Sequence, residues 1–220
     1  MEEFEGSSFA SFNEFFIRRF KSGSRPFVSA PGEMPAFAEG RYLAFDKTSK
    51  KQTLLIKGIR LSPASLLGDC EKAKAFVGGP LLIARLCPTD YHRFHFPDEG
   101  VGFDDYRIAG KLHSVNPVAL YYKEDILATN ERQVSLLQTR NFGRLAYVEV
   151  GALCVGKIVQ SHVSGKSFIR GEEKGYFLFG GSTVVLMGEP GAWKPDEDLL
   201  KQTARGMETL LKLGTRIASR

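Results

Sequence analysis

Gly175-Tyr176-Phe177-Leu178-Phe179-Gly180-Gly181-Ser182-Thr183-Val184-Val185-Leu186 places two glycines and two hydroxyl side chains between apolar, strand-like flanks. A Gly-Gly pair interrupts a strand and permits a strained turn. One reading is a glycine hairpin or bulge. The other is a serine that attacks the carbonyl before it, so that Ser182 cuts the chain between Gly181 and itself. The run alone leaves both readings open.

Downstream, Leu199, Leu200, Thr203, Met207, Leu210 and Leu211 share one helical face. Asp196, Glu197 and Asp198 occupy the first turn, where the helix dipole favours acids, which predicts a C-terminal helix. Upstream, Val134–Gln138, Leu145–Val150 and Leu153–Gln160 are rich in β-branched residues, with Gly143 and Gly151 between them, and predict antiparallel strands. Tyr106–Leu112 and Ala119–Tyr122 also read as strands, and acidic Asp98–Asp105 as a surface turn. Leu81–Cys87 follows a Gly78-Gly79-Pro80 break and reads as a buried strand. Ser62–Lys74 reads as a short helix capped by Ser62, with Pro63 in its first turn. Residues 41–45 and 52–58 read as strands around a Lys-rich turn.

Near the N-terminus Phe9, Phe12, Phe15, Phe16 and Phe20 recur at helical spacing, followed by Arg18, Arg19 and Lys21. Ser11 and Glu14 fit a capping box. This amphipathic helix faces either the core or an anionic lipid surface. Residues 22–35 are rich in Gly, Ser and Pro and read as a loop. The expected class is α+β: a mainly antiparallel β core with an N-terminal amphipathic helix and a C-terminal helix, in one domain spanning 1–220.

The formal charge of +5 and pI of about 9.1 favour an anionic partner. No basic arm or zinc-finger spacing points to nucleic acid. Cys70, Cys87 and Cys154 are far apart and odd in number, so reduced thiols are expected, with no disulfide framework and no metal site. No window approaches the 18 apolar residues of a membrane span, and the acidic N-terminus has no signal core.

Tyr91-His92-Arg93-Phe94-His95 holds two of the four histidines, and imidazole suits proton transfer near neutrality. On an extended segment residues three apart point to opposite faces, so His92 and His95 share a site only if the segment bends. Asp90 and Arg93 read as positioning residues, either one ion pair or solvated surface. His113 reads as a pocket-border or half-exposed strand residue, His162 as a loop residue, and Asn130-Glu131-Arg132 as a structural ion pair or turn.

Six ordered blocks, at 12–26, 88–97, 110–120, 130–139, 143–158 and 171–183, resemble the phosphatidylserine decarboxylase family across nearly the whole chain. The resemblance implies a self-cleaving proenzyme. Cleavage between Gly181 and Ser182 would give a β chain, 1–181, and an α chain, 182–220, that stay together as a heterodimer. Ser182 would become a covalent pyruvoyl group, an electron sink for decarboxylating phosphatidylserine to phosphatidylethanolamine. By carry-over His95 is the base that works on Ser182, and His92 the acid or base of the decarboxylation cycle. The family places an aspartate where this chain has Glu39, in Phe37-Ala38-Glu39-Gly40, one methylene longer; Glu33 and Asp46 are fallback carboxylates. Arg41, Lys47, Lys50, Lys51, Lys57 and Arg60 suggest contact with an anionic membrane, and the expected location is peripheral, on the cytoplasmic side. The N-terminus is read as nearly complete. Two alternatives stay open: a pyruvoyl enzyme acting on a soluble amino acid, and a cleavage-deficient lipid-binding relative.

Overall fold

A computed structural model describes residues 2–6, 8–48, 61–153, 157–180 and 182–220. The strand expected at 52–58, the cations Lys50, Lys51, Lys57 and Arg60, Cys154, and Gly181 lie outside the described residues. In chain order the elements begin α1 (Phe12–Phe16), β1 (Glu33–Pro35), β2 (Gly40–Phe45), α2 (Pro63–Leu67), α3 (Cys70–Ala73), β3 (Leu81–Leu86) and β4 (Arg93–His95). Next come β5 (Gly100–Ile108), α4 (Pro117–Tyr122), α5 (Ile126–Thr129), β6 (Arg132–Thr139), β7 (Arg144–Gly151), β8 (Ile158–Gln160) and β9 (Ser167–Phe168). The chain closes with β10 (Glu173–Phe177), β11 (Ser182–Gly188), β12 (Lys194–Pro195), α6 (Glu197–Ala204), β13 (Thr209–Leu211) and β14 (Arg216–Ser219). The class is α+β with antiparallel sheets.

An eight-stranded sheet in the order β13-β2-β3-β11-β7-β6-β5-β9 forms the central layer. Two three-stranded sheets, β1-β14-β12 and β4-β10-β8, accompany it. Alternation along β11 sorts its side chains between two cores. Val184 and Leu186 join Leu82, Tyr147, Phe94, Phe177 and Ile217 on the face toward the small sheets. Val185 and Met187 join Ile83, Val148, Leu66, Phe76 and Leu120 on the face covered by the short helices. All four of these β11 side chains are fully buried, each worth about 1.5–3 kcal/mol of apolar burial. Two covered faces explain why β3 and β11 read as largely apolar runs rather than as alternating ones.

Strands β10 and β11 do not form a hairpin pair: Phe177 ends β10 in a small sheet, and Ser182 begins β11 in the large one. Gly180 has φ 142°, a backbone region that favours glycine.

Several elements differ from the sequence expectation. Ala119–Tyr122 belongs to helix α4, because Asn116 accepts from Val118 N at 2.9 Å and Pro117 opens the first turn. The C-terminal helix stops at Ala204: Gly206 takes φ 73°, and Leu210 and Leu211 belong to β13 instead. Ser62–Lys74 divides at left-handed Gly68 into α2, capped by Ser62, and α3, capped by Asp69. Asp98 is buried and accepts from Asn141 N and Nδ2, both at 2.8 Å, while residues 100–105 are strand rather than turn. Helix α1 spans five residues, capped by Ser11. No helix among the described residues is long and apolar enough to cross a membrane.

Candidate active site

Ser182 is the first residue of β11, pairs with Leu86 of β3 and Gly151 of β7, and is fully buried. Strand parity sends its side chain to the same face as Val184 and Leu186, toward the sheet that carries β4. There His92 Nδ1 lies 3.2 Å from Ser182 Oγ. The other ring nitrogen, Nε2, lies 2.9 Å from the Cys87 carbonyl oxygen. A carbonyl only accepts, so Nε2 carries the proton and Nδ1 presents a lone pair to the serine hydroxyl. The ring is thereby a neutral acceptor in its site.

The Cys87–His92 turn is held by its own residues. Asp90 Oδ2 accepts from Cys87 N at 2.7 Å, and Asp90 N donates to Cys87 O at 2.8 Å. Arg41 Nη1 donates to the same Asp90 oxygen at 2.7 Å. Asp90 therefore pairs with Arg41, while Arg93 pairs with Glu173 at 2.9 Å, so the two positioning residues do not form one ion pair. Burial pushes the His92 pKa down to about 3, with the Arg18 guanidinium adding to the effect against hydrogen bonds that the ring donates to the Cys87 and Pro88 backbone. At pH 7 His92 is neutral.

Helix α1 closes this site from outside. The Phe16 ring stacks on His92 at 3.7 Å between centroids. Phe16 is fully buried whereas Phe12 is 59% exposed, so one helix is in part core and in part surface. Phe179, just before the glycines, packs edge-on against both Phe12 and Phe16. A cavity of about 240 Å³ is lined by Leu86, the β3 partner of Ser182, and by Gly180 two residues before it. Its walls include Leu86, Cys87, Ala152, Leu153, Phe179 and Gly180.

His95 lies elsewhere. Its Nδ1 sits 3.0 Å from the Gly171 carbonyl oxygen and so carries the proton. Its Nε2 is buried without a partner, and burial lowers its pKa. It packs beside Tyr91 and Phe27. The side chain hydrogen-bonded to Ser182 is therefore His92, where the resemblance had placed His95 as the acting base. His92 immediately precedes β4 and His95 ends it, and residues three apart on extended backbone face opposite ways, so the two rings do not share one site.

Glu39 is also taken elsewhere. It accepts from Arg25 Nε at 2.5 Å and Nη2 at 3.0 Å, and from Leu213 N at 3.1 Å. Arg25 is further held by Glu3. Among the described residues no hydrogen bond joins Glu39 to either histidine. The fallback carboxylates are no closer in role: Glu33 faces Arg216 at 3.4 Å and Asp46 is exposed. Thr183 is buried on the opposite face of β11.

The remaining polar candidates are structural. Asn130 Nδ2 donates to the carbonyls of His113 and Gly151, both at 2.8 Å. Arg132 is buried and donates to the carbonyls of Leu66, Ala128 and Asn130. His162 lies 2.7 Å from Glu172. Sequence reading missed the Cys87 carbonyl and the Phe16 ring. The only available signals were the Pro88-Thr89-Asp90 turn and the phenylalanine spacing.

Comparisons with known proteins add a separate line of observation. A family model described as phosphatidylserine decarboxylase matches residues 12–218. The phosphatidylserine decarboxylase proenzyme of Clostridium novyi (strain NT) is 37% identical over 214 residues, covering 97% of this chain and 72% of that protein. The proenzyme of Ruminiclostridium cellulolyticum is 41% identical over 211 residues, covering 96% and 70%. That of Clostridium kluyveri is 42% identical over 210 residues, covering 96% and 71%.

Proposed function

The chain belongs to the phosphatidylserine decarboxylase family, and on that premise we propose that Ser182 and His92 form its reacting centre, with Ser182 the source of a covalent pyruvoyl group. The protein is a carboxy-lyase made as a proenzyme, removing CO2 from phosphatidylserine to leave phosphatidylethanolamine. The observation that carries the site reading is the 3.2 Å contact from His92 Nδ1 to Ser182 Oγ, with the opposite nitrogen tied to a carbonyl.

Self-cleavage follows from that contact. A serine hydroxyl is a weak nucleophile until a base takes its proton. His92 Nδ1 accepts the Oγ proton as Oγ adds to the Gly181 carbonyl, and returns it to the Ser182 nitrogen as the peptide C–N bond breaks. The product is an ester. Loss of the Ser182 α-proton to a base breaks the Cβ–Oγ bond and releases residues 1–181 with a C-terminal carboxylate. The dehydroalanine left at 182 takes up water and loses ammonia. His95, assigned to cleavage by family resemblance, keeps a buried lone pair on Nε2 and is the second histidine on which processing depends.

The site fits a pyruvoyl group because position 182 is buried and faces a lone pair, while its strand partner Leu86 and nearby Gly180 line a cavity. Such a group supplies a ketone for the substrate amine and a sink for the electron pair left by CO2. His92, held by the Cys87 carbonyl, is placed to hold and deliver the proton that replaces CO2. The apolar walls Leu86, Ala152, Leu153 and Phe179 keep water from the leaving carboxylate.

The two products of cleavage stay joined in this reading. Strand β11 is bonded on both sides, by β3 and β7 of residues 1–181. Strands β13 and β14 add pairings to β2 and β1, and Glu39 bonds Leu213 across the two chains. The enzyme works as a peripheral protein on the cytoplasmic side of an anionic membrane, consistent with its +5 charge.

Separate His92→Ala and His95→Ala proenzymes, followed on denaturing gels, test the assignment. His92→Ala slows cleavage about 10²–10⁴-fold, the usual weight of a positioned base. Normal cleavage of His92→Ala beside an uncut His95→Ala returns the serine proton to His95.

A further inference from the structure

The substrate is a lipid whose headgroup must reach position 182 while its acyl chains stay in a bilayer, so the mouth of the pocket must face that bilayer. Resting on the decarboxylase reading, we propose that the exposed apolar side chains around this mouth, centred on helix α4, form the face that docks on an anionic membrane surface.

The ring can be followed residue by residue. On one side of the mouth Phe179 is 41% exposed and Phe12 59%, and their rings meet edge to face at 4.9 Å. On the other side Leu153 lines the pocket and is 58% exposed. Leu112 is exposed and sits over Gly151, the strand partner of Ser182; a Cβ on that glycine would lie 3.3 Å from the leucine side chain. Ser114, Val115 and Asn116 then run from the pocket wall into the N-terminus of α4.

Helix α4 is amphipathic in an unusual sense. Leu120 is buried in the helix-side core, while Val118, Tyr121 and Tyr122 are exposed at 65%, 65% and 82%. Their i, i+3, i+4 spacing puts them on one outward stripe. Tyrosine suits a membrane interface, with an apolar ring and a hydroxyl that stays wet. The charge agrees. Lys111 adjoins Leu112, and the Lys157 carbonyl accepts from Leu178 N at 3.1 Å beside Phe179. Both lysines are exposed. In the same segment Asp125 is occupied by Lys123. Cations beside an apolar ring are the pattern that holds peripheral proteins to anionic leaflets. The N-terminal helix, for which core and lipid surface were both open, supplies Phe12 to this face, while Phe16 stacks on His92.

The test compares processed wild type with a Val118→Ser/Tyr121→Ser/Tyr122→Ser variant, and with Phe103→Ser as a control elsewhere on the surface. Each is assayed for co-sedimentation with phosphatidylserine–phosphatidylcholine vesicles. Decarboxylation is then measured on those vesicles and on short-chain, monomeric phosphatidylserine. The triple variant should lose about tenfold or more in vesicle binding and vesicle turnover. It should cleave itself normally and keep its rate on the monomeric substrate, and Phe103→Ser should behave as wild type. Unchanged vesicle binding by the triple variant overturns the proposal. So does an equal loss on both substrates, which would make α4 part of the pocket. So does conversion of a dimer to a monomer with binding intact, which would make the face a self-association surface. A wild type inactive on both substrates refutes the decarboxylase reading instead, while its vesicle binding still tests the face.

Discussion

Acidification should unfold this protein partly through His92, and the size of that contribution follows from its burial. In the folded protein the imidazole has its pKa pushed down to about 3, from 6.5 when unconstrained. A depressed histidine pKa means the unfolded chain binds a proton that the folded chain refuses. Stability is therefore full above pH 6.5 and falls as pH drops toward 3, by about 1.4 kcal/mol per pH unit. Between pH 7 and pH 5 the loss from His92 alone is about 2 kcal/mol. Because pH 5 lies well above the folded value, this figure is set by the unfolded imidazole. The measurement uses the uncut Ser182→Ala chain, with and without His92→Gln, unfolded in urea at both pH values. Trp193, the single tryptophan and buried, reports the transition by fluorescence. The His92→Gln chain should lose about 2 kcal/mol less on going to pH 5 than its parent. His95 is common to both chains and cancels. Equal losses in the two chains would refute the buried, neutral His92 on which the site reading rests.

Two further predictions concern ion pairs away from the Ser182–His92 contact. Removing Glu39 with Glu39→Ala should destabilise the protein by about 2–3 kcal/mol, the worth of charge-assisted bonds to Arg25 and the Leu213 amide, with cleavage preserved in time courses on gels. Abolished cleavage at unchanged stability would instead make Glu39 the carboxylate that orients a histidine. Lys174 is almost fully buried, 2.6 Å from fully buried Glu149, whose pKa burial raises. Lys174→Met strands that carboxylate and should cost about 3–5 kcal/mol in urea unfolding at pH 7; a cost under about 1 kcal/mol would show that the pair contributes little.

The strands that carry Ser182 and its neighbours were legible because they are buried on both faces. Val184–Met187 is apolar without interruption, Leu81–Leu86 and Leu145–Val150 are broken only by Arg85 and Glu149, and no helical spacing competes with that pattern. Helix α4 was misread because Ala119–Tyr122 is short and aromatic, so the Asn116-Pro117 cap was outweighed. The C-terminal helix was overextended because Leu210 and Leu211 continue its spacing beyond Gly206. Parity already stated that His92 and His95 face apart in an extended segment. Which of them meets Ser182 depends on the Cys87 carbonyl and the crossover from β10 to β11, and neither has a local sequence signature. The longer side chain of Glu39 was visible as a departure, but its partner Arg25 lies in a Gly/Ser/Pro-rich loop where pairing cannot be read. Phe16 shows the same limit, since periodicity groups the phenylalanines without saying which one stacks on a histidine.

The central claim is that Ser182 becomes the blocked N-terminus of a second chain. Intact mass and a denaturing gel of the purified wild-type protein test it directly. The account predicts two fragments, 1–181 and 182–220, the shorter with the mass of an N-terminal pyruvoyl group and no free amine for sequencing. A single chain of 220 residues, unchanged on incubation with phosphatidylserine vesicles, would contradict it.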